Sequence, residues 1–148
     1  KVKFIYAGSN SKNGNIEKFC QKVIELMKQI YPLPETIEIQ FENLGANVYG
    51  MTLLDPRLSN RIRLNRNLSL EELVLPLTHE LLHLHQMFTN KLQTRTGGRI
   101  LWQNVPYKVD MLKISYQEYQ QLPWELDVEQ KQKKLLEFLQ QNKRKIKV

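Results

Sequence analysis

The chain has 148 residues, 41% hydrophobic and 25% charged, with 22 Lys and Arg against 15 Asp and Glu for a net charge of +7 and a pI near 9.5. That length is expected to fill one domain, 1–148, with a core that needs no disulfide, and the single cysteine, Cys20, excludes an intrachain one. No apolar run approaches the roughly 20 residues of a membrane span, and residues 1–8 lack the long apolar stretch of a secretion signal, so a soluble, cytoplasmic protein is expected.

Residues 3–7 read as a short strand. Residues 15–31 read as an amphipathic helix, with Ile16, Phe19, Cys20, Val23, Ile24, Met27 and Ile30 at helical spacing and Pro32 and Pro34 ending it. Alternation of Ile37, Ile39 and Phe41 predicts a strand over 37–44. Two further strand-like runs, 48–54 and 60–65, flank the turn-rich connection 55–59 and are expected to pair antiparallel.

Ser69-Leu70-Glu71-Glu72 is a capping box, which opens a helix expected to reach about Thr89 and to kink at Pro76. Residues 101–109 suggest a small hairpin with Asn104 near its tip. A last helix starts after Pro123, carries Trp124, Val128, Leu135, Leu136 and Leu139, and runs into a basic tail at about 141–148. The predicted fold is α+β: a small, mostly antiparallel sheet packed on the long central helix, with flanking helices, in a zincin-like arrangement.

The positive charge permits contact with nucleic acid or an acidic surface. Lys143, Arg144, Lys145 and Lys147 crowd the tail, where a frayed, solvated end is the plain expectation. Arg57, Arg61, Arg63 and Arg66 form a second cluster. Alternation in 61–64 sets Arg61 and Arg63 on one strand face and Ile62 and Leu64 on the other, as in any half-exposed strand.

The central helix contains His79-Glu80-Leu81-Leu82-His83. Two histidines four residues apart share a helix face and can converge on one ion, for which Zn2+ is the best match, while the intervening Glu80 can reach a water and act as general base. Catalytic zinc takes a third protein ligand. His85 stands about 200° around the helix from His83 and is expected at its surface, turned away. Gln86 and Thr89 occupy the positions where a metzincin carries glycine and histidine. A carboxylate after Pro123 is left: Glu125 first, with Glu129 one turn on as an orienting group or substitute, and Asp127 facing elsewhere.

His79-Glu80-Leu81-Leu82-His83-Leu84-His85-Gln86, followed by Trp102, Tyr107, Tyr119 and Leu122-Pro123-Trp124-Glu125, resembles a group of small phage-associated and bacterial zincin-like metallopeptidases with the pattern HELxHxxQ, then Tyr, then PWE. The resemblance spans about residues 60–130. It implies a gluzincin-like zinc site with His79, His83 and Glu125 as ligands and Glu80 as base, and a host cytoplasm where the chain is phage-encoded. Asp127 and Val128 depart from the small residue that usually follows PWE.

Gln86 lies on the metal side of the helix, where it can bond a ligand, the substrate, or the loop beyond. Tyr119, with Tyr116, precedes the third ligand and can offer a phenol to an oxyanion; Trp102 and Trp124 are expected in the core. The expected function is peptide hydrolysis, with a protein or peptide substrate laid along an edge strand at 60–65 whose arginines suit acidic sequences. The alternative is a catalytically silent zincin-like binding or structural module, nucleic-acid-associated through Arg61, Arg63 and the tail.

Overall fold

The computed structural model describes residues 1–7, 12–45, 49–52, 60–95, 99–110 and 112–148. In chain order these form β1 (Val2–Tyr6), α1 (Gly14–Met27), β2 (Ile37–Glu42), β3 (Gly50–Thr52), β4 (Arg61–Asn65), α2 (Leu70–Phe88), β5 (Leu92–Arg95), β6 (Arg99–Trp102), β7 (Val105–Lys108), α3 (Tyr116–Gln120), α4 (Pro123–Gln141) and α5 (Lys143–Ile146). The fold is mixed α and β, with two small sheets. No helix among the described residues is long and apolar enough to cross a membrane.

The sheet against the central helix runs β1-β2-β4-β3. β1 and β4 both pair parallel with β2, and only the β3–β4 pairing is antiparallel. The expected mostly antiparallel sheet is therefore corrected. The cause lies in α1, which lifts the chain out of the sheet after β1 and returns it alongside, as a parallel pair requires. The predicted antiparallel pair is present as β3 and β4, and the connection 55–59, with Arg57, lies outside the described residues. β4 is an inner strand, and β3 takes the edge position expected for 60–65.

Ile37, Ile39 and Phe41 of β2 and Ile62 and Leu64 of β4 are buried with Val23, Ile24 and Met27 of α1 and Leu73, Leu77 and Leu81 of α2 in one core. The alternate residues face outward and pair across strands. Arg61 meets Glu38 at 2.8 Å, and Arg63 meets Glu42. These ion pairs let one face of a largely parallel sheet stay in water, where parallel sheets usually need cover on both sides.

The second sheet, β5-β6-β7, is an antiparallel meander. Gln103 and Asn104 turn from β6 to β7 with φ of 50° and 67°, the left-handed pair that a two-residue hairpin requires. Behind the meander, Leu92, Ile100, Trp102 and Trp124 form a smaller core, as expected for both tryptophans, with Tyr107 set edge-on to Trp124 at 5.7 Å. β5 and α3 go beyond the predicted elements; Gly97 and Gly98 lie outside the described residues. The tail differs from a frayed end: α5 puts Ile146 against the core, and Lys22 Nζ donates to the Lys147 carbonyl at 2.7 Å.

Candidate metal centre

The start of α2 is held by the predicted capping box, with Ser69 Oγ accepting from Glu72 N at 3.2 Å and Glu72 Oε1 accepting from Ser69 N at 3.1 Å. The helix continues through Pro76 to Phe88. Beside the proline, Thr78 Oγ1 donates to the Val74 carbonyl at 2.7 Å, and Gln132 Nε2 of α4 donates to Leu75 O at 3.0 Å and Thr78 Oγ1 at 2.9 Å. Side chains of both helices thus brace the turn that precedes His79.

His79 and His83 project from the same face, with ring centroids 4.9 Å apart and planes at 79°. Their Nε2 atoms meet the carboxylate of Glu125, at the first turn of α4: His79 Nε2 lies 3.3 Å from Oε1 and His83 Nε2 lies 2.9 Å from Oε2. One potential ligand atom each from His79, Glu80 and His83 also lie within 4.8 Å of one another. His83, Glu80 and Glu125 are buried, while the His79 side chain is 33% exposed and opens the centre to solvent.

Gln86 fixes the ring of His83. Its Nε2 donates to the Trp124 carbonyl and to Asp127 Oδ2, both at 2.8 Å, which leaves Oε1 to face His83 Nδ1 at 2.9 Å. Nδ1 therefore carries a proton, and in the neutral ring Nε2 presents its lone pair toward Glu125. Asp127 is in turn paired with Lys131 at 3.0 Å. The amide joins both helices that bear the converging groups, since the carbonyl it bonds belongs to the residue before Glu125.

Burial and hydrogen bonding act against each other in the cluster. Burial opposes the ionisation of Glu125, but hydrogen bonds from His79 and His83 prevail and hold its pKa at about 2. Burial also opposes charge on His83, yet the hydrogen bond to Glu125 and the charges of Glu125 and Glu80 raise it above its ordinary value. Burial, then the negative charges of Glu125 and Glu80, pushes the Tyr119 phenol well above its usual range. Two imidazole nitrogens and carboxylate oxygens suit a divalent transition metal, and a bound cation would compete with protons for the same atoms.

The structure thus brings His79, Glu80, His83, Glu125 and Tyr119 together. Asp127 is committed to Gln86 and Lys131, and Glu129 lines a cleft of about 420 Å³ with His79, Tyr116, Tyr119, Gln120, Gln121, Glu125 and Gln132. Arg61 and Arg63 stand on the outer face of the sheet, on glutamates. His85 points away from the cluster as expected, but it is buried, with Nδ1 2.8 Å from the Pro32 carbonyl and its ring against Tyr31. The expected surface position is corrected because α1 and the 28–34 turn cover the back of α2.

Two features escape a reading of the sequence. Gln132 braces α2, and no spacing rule announces it. Gly50 does carry a signal, since glycine inside a strand often marks close backbone approach. A Cβ there would lie 3.1 Å from Glu80 Cγ, 3.2 Å from Leu64 Cδ2 and 3.3 Å from Pro76 Cβ. The edge strand crosses Glu80 where only glycine fits without displacing it. No family model, no curated protein and no solved structure matches the chain.

Proposed function

We propose that the protein is a zinc-dependent peptidase of zincin-like fold, with His79, His83 and Glu125 as metal ligands and Glu80 as general base. The observation that supports it most is the meeting of both histidine Nε2 atoms on the Glu125 carboxylate beside the buried Glu80. The donor set of two nitrogens and one carboxylate is that of a catalytic zinc site, where the ion acidifies water and polarises a carbonyl.

Each side chain then has a defined task. Glu80, next to His79 and under the edge strand β3, takes a proton from the attacking water and returns one to the leaving amine. Tyr119 keeps its phenolic proton and offers it as a hydrogen bond to the oxyanion of the tetrahedral intermediate. Gln86 keeps His83 in the tautomer that ligation needs. An extended peptide lies along the outer side of β3, in place of the 60–65 edge. The ion pairs of Arg61 and Arg63 favour neither an acidic substrate nor a nucleic acid at that face.

Glu80→Gln tests the mechanism. It is expected to retain zinc and to lose cleavage of a fluorogenic peptide library that the wild type digests. A Glu80→Gln variant that cleaves at the wild-type rate contradicts this function.

A further inference from the structure

We infer that the cleft beside the metal ligands selects peptides carrying a guanidinium or ammonium side chain, and that Glu129 is the residue that selects them. The inference rests on the peptidase reading for its site and adds the substrate class.

The chain carries 22 Lys and Arg, yet none of them is among the described residues lining the cleft. The side chains there are His79, three glutamines, two tyrosines and the carboxylates of Glu125 and Glu129. With Glu125 committed to the histidines, Glu129 is the remaining charge. It stands one helical turn beyond Glu125 on the same side of α4, is exposed, and forms no ion pair among the described residues.

Other polar groups of the lining can accept as well. Gln132 spends its Nε2 on Leu75 O and Thr78 Oγ1, so its carbonyl oxygen is the end still to be satisfied. Tyr119, also in the lining, has hydroxyl lone pairs that can accept. Tyr116, 73% exposed, adds an aromatic face at the rim. A carboxylate, an amide oxygen and an open aromatic ring are the partners of a guanidinium, which donates several hydrogen bonds and stacks on such rings. An acidic side chain would instead face the Glu129 carboxylate, a like charge.

The global charge makes the preference diagnostic, because a protein of net charge +7 draws anionic peptides to its surface at large. The test uses zinc-loaded Glu80→Gln protein, which binds without turnover, at physiological salt to screen that general attraction. Three dye-labelled peptides, identical but for one central Arg, Gln or Glu, are titrated by fluorescence anisotropy. The Arg peptide is expected to bind about three- to tenfold tighter than the Gln peptide, with Glu weakest. Adding Glu129→Gln should remove the Arg advantage, and Glu129→Lys should reverse the order.

Equal binding of the three peptides, no binding of the Arg peptide, or an Arg preference that survives Glu129→Lys overturns the inference. The two readings fail separately. Wild-type cleavage without an Arg preference removes the selectivity and keeps the peptidase, while Glu129-dependent Arg binding without cleavage does the reverse.

Discussion

Gln86 Oε1 lies 2.9 Å from His83 Nδ1, inside a buried contact in which the same amide donates to the Trp124 carbonyl and to Asp127. One side chain therefore sets the tautomer of His83 and the position of the helix start that carries Glu125. Replacing Gln86 by Met keeps the volume, leaves Nδ1–H without its acceptor, and removes the amide donor from the Trp124 carbonyl and from Asp127, which keeps Lys131. Zinc affinity is expected to fall about 10- to 100-fold, read by competition with a chromophoric chelator. Gln86→Glu keeps an acceptor for His83 but loses the donation to Trp124 and places a carboxylate beside Asp127. Its stability loss should therefore exceed its loss of zinc. Wild-type affinity in Gln86→Met would remove the orienting role.

Gly50→Ala tests the approach of the edge strand to Glu80. The added methyl would press on Glu80 Cγ at 3.1 Å, with buried Leu64 and half-buried Pro76 closing the other sides. Relief of backbone freedom in the unfolded chain offsets part of the strain, so a net stability change of about 1 kcal/mol is expected. The larger effect should be on turnover: kcat falls about tenfold or more, as a displaced general base requires, while zinc affinity stays within a few-fold. Thermal unfolding, zinc titration and peptide kinetics on one variant separate these effects. Unchanged kcat contradicts the placement of Glu80 as base.

The histidine–carboxylate cluster predicts how zinc and pH act on stability. Glu125 has a pKa of about 2 against an ordinary 4.5, so its contribution is present above pH 4.5 and lost as pH falls toward 2. His83 is raised above 6.5, so its contribution is present below pH 6.5 and lost as pH rises through its folded value. The metal-free protein should gain most from this pair between the two ordinary values. Zinc takes the unprotonated ring, so the rise in Tm on adding zinc should grow as pH increases from about 6 to 8. Scanning fluorimetry with and without zinc measures this; an increment that shrinks over that range contradicts it.

His85 serves as the internal control. His85→Leu leaves the Pro32 carbonyl without its 2.8 Å partner and is expected to cost about 1–3 kcal/mol in urea unfolding. Zinc affinity should stay within about twofold, because the ring lies behind α2. A loss comparable to that of His83→Ala would place His85 in the metal site.

Much of this arrangement is legible in the sequence for identifiable reasons. Helical spacing alone puts His79 and His83 on one face, and the capping box at Ser69 sets the start of their helix. Pro123 and Trp124 mark where Glu125 enters. Strand alternation separates Ile62 and Leu64 from Arg61 and Arg63 but says nothing of neighbours, so it could not reveal that glutamates of β2 neutralise those arginines. The sheet order is equally hidden from alternation; its signal is the helix α1 between β1 and β2, which turns their pairing parallel. His85 misleads because rotation about a helix predicts direction, and burial depends on what packs there.

Zinc content of the wild type and of Glu125→Ala, measured together with affinity by chelator competition, tests the centre most directly. The expected result is one zinc per wild-type chain, with Glu125→Ala weakened by more than the roughly 100-fold that loss of an outer-sphere partner costs. A wild type that takes up no zinc, or a Glu125→Ala variant that holds it as tightly as the wild type, would contradict the assignment of Glu125 as the third ligand.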